Sequence, residues 1–355
     1  MGIYHVIGIM SGTSLDGVDL AHTRFDGEDK FWDFEIKNAV TIPYNDVWKD
    51  RLGSLHSKDA FTFAKTHIEY GRFLGELVKK FVIDNNIKAD FVSSHGHTIF
   101  HQPEEGVTNQ IGDGAAISAE CGLPVVCDFR ITDVALGGQG APLVPIGDKL
   151  LFSEYEYCLN LGGIANISYE EDDERVAFDI CPVNIVLNHL SRLAGKNFDE
   201  GGTLAAKGKL NIDLLEQLND LPYYSKSYPK SLGREDIEKF FLPLIDTAPI
   251  SIEDKLCTFC EHIAIQISFV INRKHQGQNK NFLITGGGAF NQFLIQRLKN
   301  KSEAEIIIPA KSIIEFKEAL IFALLGVLRW RGEINCLKSV TGAEKDSCSG
   351  AIYFS

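Results

Sequence analysis

The sequence predicts a duplicated mixed α/β fold, two lobes built on one plan, and three observations lead there. At 355 residues the chain exceeds the usual size of one compact domain. An order of three strands, then helix, strand, helix, strand is written twice along it. Glycine-bearing turns also recur at matching places, at Gly8 to Gly12, Gly162-Gly163 and Gly286 to Gly288.

In the first copy, "YHVIGIM" and "VDLAHTRF" read as strands joined by a glycine-rich loop, and Asp26-Gly27 offers a turn. In "KFWDFEIK", Trp32, Phe34 and Ile36 alternate with Asp33, Glu35 and Lys37, the period of a half-buried third strand. A helix is expected over Phe61 to Ile83, then a strand ending in "DFVSSHG", a short helix after Gly112 and a strand "PVVCDF". The second copy opens with "EYCLNLGG", "ANISYEE" and "ERVAFDI", connected tightly at Gly162-Gly163 and Asp172-Asp173. A helix over Val183 to Leu193 follows; the glycine- and proline-bearing stretch from Phe198 to Ile250 reads as an insertion. Then come a helix from Ile252 to about Arg273, the strand "NFLITGGG", the helix "FNQFLIQRLKN", the strand "AEIIIP" and the helix "IEFKEALIFALLGVLRW". The expected boundaries are 1–150 for the first lobe, 151–335 for the second with its insertion near 198–250, and 336–355 for a tail with no assigned role.

Composition narrows the function classes. A net charge of −13 with mixed signs along the chain argues against general nucleic-acid binding, which needs a basic face. The apolar stretches fall short of the roughly 18 residues that mark a membrane span. The N-terminus has no basic region before its apolar run and reads as a strand rather than a signal peptide. Eight scattered cysteines fit buried thiols in a reducing compartment, so a cytoplasmic location is expected. Cys257 and Cys260 read as two residues on one helix face rather than half of a zinc site.

"GIMSGTSLDGVD", residues 8 to 19, has the residues of a phosphate loop but neither standard form. A P-loop needs a lysine and a following helix, and here there is no lysine and a strand follows. "GGGAFNQ" fails the dinucleotide fingerprint because Asn291 stands where the last glycine belongs. What remains is a β-hairpin whose amides and Ser11, Thr13 and Ser14 hydroxyls wrap phosphates, with Asp16 helping to hold magnesium. An ordinary hairpin with solvated serines is the competing reading. The recurrence of a glycine-bearing hairpin in the second copy favours a nucleotide triphosphate held in a cleft between the lobes.

The blocks "GIMSGTSLDGVD", "SSHGHTIFHQP", "QIGDGAAISAECGLPVVCDFRITDVALGGQGAPLVP", "NLGGIANIS", "PKSLGRE" and "ITGGGAFN" occur in that order. Together they closely resemble the anhydro-N-acetylmuramic acid kinase family of the sugar kinase, Hsp70 and actin superfamily, over about residues 6 to 330. The resemblance implies duplicated ribonuclease H-like domains with an interdomain cleft. It also implies a kinase of peptidoglycan recycling that uses ATP, Mg2+ and water. Such an enzyme opens 1,6-anhydro-N-acetylmuramic acid and phosphorylates the freed 6-oxygen. The partner implied is this small anhydro sugar, with no nucleic acid and no membrane; the oligomeric state stays open, a homodimer among the options.

Residue by residue, the resemblance places Gly12, Thr13, Ser14, Leu15, Asp16, Gly17, Val18 and Asp19 at the nucleotide, with Asp16 toward the metal. From the second lobe it adds Gly162, Gly163 and Asn166 at the phosphates, and Gly286, Gly287 and Gly288 at the adenosine. For the triple glycine, close strand-to-helix packing is the rival explanation. Asp179 matches the base that activates water, its rival role being a helix N-terminal carboxylate before Pro182. Arg130 suits the lactyl carboxylate of the sugar, a surface ion pair being the alternative. His95 and Thr98 fall at sugar contacts, as does Glu318, for which a solvated helical role competes.

Two departures stand out. The family commonly reads D-T-G-P-G-N where this chain has Asp179-Ile180-Cys181-Pro182-Val183-Asn184, which places the turn and the sugar fit in question. His97 stands where the family usually has glutamine, and His95-x-His97 has metal-ligand spacing without the further ligands that a metallohydrolase needs. A nucleotide-driven switch without sugar chemistry, or a kinase for a related anhydro sugar, would carry the same glycine motifs.

Overall fold

The computed structural model describes residues 2–12, 14–28, 31–227, 230–274 and 281–354. The chain divides into two compact units, residues 1–153 with 316–355, and residues 154–315. The division differs from the expected one at its second boundary, because 316–335 and the tail pack with the N-terminal residues.

The first unit begins with strands β1 (Ile3–Ser11), β2 (Gly17–Glu28) and β3 (Phe31–Pro43), which pair antiparallel in succession. Helix α1 (Ala60–Asp84) starts where Asp59 accepts hydrogen bonds from the Phe61 and Thr62 amides. It buries Thr66, Tyr70, Leu74, Val78 and Phe81, a stripe at helical spacing. Strand β4 (Phe91–Gln102) then runs parallel to β1, in register from Val6 opposite Phe91. It continues past the expected "DFVSSHG" end, shifts register after Thr98, and turns back into β5 (Val107–Ile111). Helix α2 (Gly114–Cys121) and strand β6 (Val125–Cys127), parallel to β4, complete the run.

The second unit repeats the scheme with β7 (Tyr157–Leu161), β8 (Ile164–Glu171) and β9 (Glu174–Pro182). Helix α3 (Asn184–Leu193) follows, then α4 (Ile252–Lys274), β10 (Asn281–Thr285), α5 (Gln292–Lys301) and β11 (Glu305–Ile307). Its sheet has the order β11-β10-β7-β8-β9. The first sheet has β6-β4-β1-β2-β3 at the corresponding places, with β5 added on β4 and a C-terminal strand, Ala351–Tyr353, beyond β6. Matching order and direction in both sheets make the duplication visible in the hydrogen-bond ladders themselves.

The insertion has structure of its own. It forms short helices whose Leu214, Leu218, Phe241 and Ile245 join the core of the second unit, beside Phe259 and Ile263 of α4. Helix α6 (Lys311–Arg331) breaks from helical geometry at Phe316, where the chain re-enters the first unit. From there it lies against β1 and β4. A Cβ built on Gly8 would stand 2.0 Å from the Ala319 carbonyl oxygen, and one on Gly326 2.5 Å from Ser93 Oγ.

Candidate active site

In the first unit, β1 ends in a buried hydroxyl that anchors the loop behind it. Ser11 Oγ lies 2.6 Å from Tyr44 Oη and 2.7 Å from His97 Nδ1, and Tyr44 bonds in turn to Tyr70. His97 is thus held in a polar network within the core. Burial pushes its pKa down to about 4, so the ring is neutral near pH 7. Among the described residues no group of three or more His, Cys, Asp or Glu side chains is arranged to hold a metal ion.

Past Ser11 the chain surfaces at Gly12, Ser14 and Asp16, with Leu15 in the left-handed region (φ 59°). Thr13 lies outside the described residues. Gly17 opens β2, Val18 is buried in the core, and Asp19 Oδ1 accepts a 2.6 Å bond from Thr41. The hairpin therefore presents Gly12, Ser14 and Asp16 outward, whereas Val18 serves packing.

Arg130 is the electrostatic centre of this unit. Its Nε and Nη2 reach His95 Nε2 at 3.0 and 2.9 Å, and its Nη1 donates to the Gly140 carbonyl at 2.6 Å. His95 Nδ1 lies 2.9 Å from the Gly96 carbonyl and must donate to it, so Nε2 is the unprotonated acceptor. Burial and the neighbouring guanidinium hold the His95 pKa well below the usual value. The His95 ring has both nitrogens engaged, and it orients Arg130.

Burial draws the Arg130 pKa down to about 10 against the pull of Glu318. Its hydrogen bonds all go to neutral acceptors. One N–H on each terminal nitrogen is left unspent among the described residues. Glu318 keeps exposed surface on α6 yet sits among many protein atoms. Burial raises its pKa, Arg130 opposes that rise, and the Asp19 carboxylate adds to it. Thr98 is half-buried, with Gln110 Nε2 3.4 Å from its hydroxyl.

In the second unit, Asp179 lies on β9 opposite Asn166 of β8, where the ladder shifts register. The insertion grips it. The Leu232 amide donates to Oδ2 at 2.9 Å, Tyr223 Oη donates to the Asp179 carbonyl at 2.7 Å, and the Asp179 amide donates to the Lys230 carbonyl at 3.0 Å. Oδ1 carries no hydrogen bond among the described residues. Burial raises the carboxyl pKa and the Leu232 amide only partly offsets this, so the anion is more basic than a solvated aspartate. Leu232 and Tyr223 escaped the sequence reading. "PKSLGRE" marked the region, but the support comes from a backbone amide, which any residue type carries.

Ile180, Cys181 and Val183 are all buried in the core of the second unit. Larger side chains there are taken up by packing behind β9. The Gly162-Gly163 turn offers its carbonyls to the amides of Val183, Asn184 and Ile185 and so caps α3. Asn184 Nδ2 donates to the Leu161 carbonyl at 3.0 Å.

The triple glycine follows β10, which runs parallel to β7, so both glycine turns leave the carboxyl ends of adjacent parallel strands. Open α/β sheets bind ligands at such ends. Gly286 has φ 80°, and a Cβ there would stand 2.3 Å from Asn160 Oδ1; one on Gly288 would stand 2.7 Å from Leu161 Cβ. Close packing accounts for these two, while Gly287 is exposed.

Two sheets of equal strand order, with glycine turns leaving the carboxyl ends of β7 and β10 and a hairpin presented after β1, define a protein of the actin, Hsp70 and sugar kinase type. The family model for anhydro-N-acetylmuramic acid kinase matches residues 4–355. The chain belongs to that family. A relative of that name from Francisella tularensis subsp. novicida is 34% identical, the match covering 99% of this chain and 98% of the relative. Another, from Paramagnetospirillum magneticum, is 35% identical over 97% of this chain and 98% of its own. A third, from Bacillus thuringiensis subsp. konkukian, is 30% identical over 99% of each.

Proposed function

We propose that this chain is an ATP-dependent kinase of peptidoglycan recycling. It hydrolytically opens 1,6-anhydro-N-acetylmuramic acid and phosphorylates O6 to give N-acetylmuramic acid 6-phosphate. The observation that carries the reading, beside family membership, is Asp179: one carboxylate oxygen is anchored and the other carries no hydrogen bond among the described residues. Oδ1 takes a proton from water as its oxygen attacks the anomeric carbon. The C1–O6 bond breaks, and O6 takes the γ-phosphoryl group while ADP leaves. Activating water with a carboxylate opposite a departing oxygen is the logic of inverting glycoside hydrolysis. The phosphoryl half is positioning and charge neutralisation.

Arg130 receives the lactyl carboxylate on its unspent N–H groups, a pairing that suits a guanidinium whose hydrogen bonds among the described residues go to neutral acceptors. Gly12, Ser14, Gly162, Gly163 and Asn166 take the phosphates, with Gly287 toward the adenosine. Magnesium would be held by the exposed Asp16 together with the phosphates; one carboxylate beside substrate oxygens suits its preference for oxygen and water ligands. When bound it neutralises charge on the phosphates.

All eight cysteines are free, which supports the cytoplasm as the location. Among the described residues no helix is long and apolar enough to cross a membrane. Incubation with MgATP and 1,6-anhydro-N-acetylmuramic acid should yield ADP and a sugar phosphate in equal amounts. Tight ATP binding with no sugar phosphate formed would refute the reading and favour a nucleotide switch.

A further inference from the structure

We infer that the C-terminal segment acts as a positioning clamp for Arg130, with Asp133 as the relay. The inference rests on the sugar-binding role proposed for Arg130. Asp133 is 1% exposed and lies in the turn that follows Arg130. It collects donors from two directions. The Gly140 amide donates to Oδ2 at 2.7 Å; Thr341 Oγ1 and Cys336 Sγ donate to Oδ1 at 2.7 and 3.0 Å. Gly140 is the residue whose carbonyl accepts the Arg130 guanidinium. One carboxylate therefore ties the C-terminal segment to the residue whose carbonyl holds the Arg130 guanidinium.

The rest of the segment reinforces the tie. The Gln139 amide donates to the Thr341 carbonyl at 2.8 Å, and the Glu344 amide to the Leu136 carbonyl at 3.0 Å, so the loop between Arg130 and Gly140 is stitched along its length. On the other side of Arg130, the strand Ala351–Tyr353 pairs antiparallel with β6, which leads into Asp128, Phe129 and Arg130. Asn335 secures the segment to α6 and to itself through Leu325 and Ser349 carbonyls. The loop after Arg130 and the strand before it are thus both held by residues beyond 332. Buried carboxylates of this kind lose much when one donor is removed, because the remaining lone pairs cannot find water.

Thr341→Val keeps the shape and deletes the hydroxyl; Thr341→Ser restores a hydroxyl and serves as the rescue. The first readout needs no substrate: the exchange rate of the Arg130 Nη protons, followed by NMR in 15N-arginine-labelled full-length protein. Thr341→Val should exchange at least several-fold faster than wild type, and Thr341→Ser should return toward it. The second is steady-state kinetics. KM for 1,6-anhydro-N-acetylmuramic acid should rise roughly tenfold, the size of one lost hydrogen bond to a charged group. KM for ATP and kcat should change less than twofold. A uniform loss of kcat, or an increase in both KM values, would mark a merely structural residue and overturn the inference. So would unchanged Arg130 exchange. Failure of the sugar-kinase reading shows differently, as wild type that does not turn over, and the exchange measurement then decides alone.

Discussion

Asp179→Asn is expected to abolish sugar phosphorylation, lowering kcat by roughly a thousandfold, the middle of the range for a positioned general base. Nucleotide binding should survive, since among the described residues the Asp179 carboxylate bonds the Leu232 amide and none of the residues proposed for the nucleotide. The asparagine carbonyl can still accept from Leu232, so the local structure should hold. Because burial raises the Asp179 pKa above 3.8, the wild-type acid limb of kcat/KM should fall above that value, with activity increasing as pH rises through it. The stability sign is opposite. A carboxyl with a raised folded-state pKa binds more protons folded than unfolded, so it destabilises the fold once pH exceeds its unfolded value. The asparagine variant should therefore be at least as stable as wild type at pH 7, and the difference should close as pH drops below about 3.8. Chemical denaturation at two pH values checks this. Residual turnover within tenfold of wild type would remove Asp179 as the base.

The second large effect is on stability. In Gly8→Ala the new methyl would meet the Ala319 carbonyl oxygen at 2.0 Å, inside the first unit, with Ala323 Cβ a further 3.1 Å contact. Neither β1, paired on both sides, nor α6 can shift without disturbing several ladders or turns. A cost of about 3 kcal/mol follows, the top of the usual range for overpacking, and with it a Tm lower by roughly 10 °C. Calorimetry of the variant is the check; a Tm within about 2 °C of wild type would show that α6 packs more loosely than its contact with β1 implies.

What could be read from residues alone follows a physical divide. The strand triplets were legible because they combine period-two alternation with glycine turns, as in Trp32, Phe34 and Ile36. Helix α1 was legible because Tyr70, Leu74 and Val78 mark one face. The expected end of β4 came too early because "SSHGHTIFHQP" lacks regular alternation, and the register slip that extends the strand depends on its pairing with β5. The glycines and prolines marked the stretch as an insertion, but Leu214, Phe241 and Ile245 are ordered by tertiary packing that no local pattern records. The tail strand, Ala351–Tyr353, is too short for any period.

At the candidate site, the sequence could nominate Arg130, His95 and Asp179 by residue type and motif. It could not show that His95 spends both ring nitrogens, or that a leucine amide supports Asp179. Nor could it show that Ile180, Cys181 and Val183 are all buried in the core of the second unit.

The first unit is assembled from two stretches separated by the whole of the second. On a ribosome that emits the chain from its N-terminus, this imposes an order of events. Residues 154–315 are contiguous and can complete their sheet while α6 is still being made. The first unit must wait with the hydrophobic face of β1 and β4 uncovered until the segment past 316 emerges. Nascent chains arrested near residue 315 should accordingly protect the second unit from protease and leave the first open to cleavage. Equal protection of both would show that the early strands hold together without their last helix.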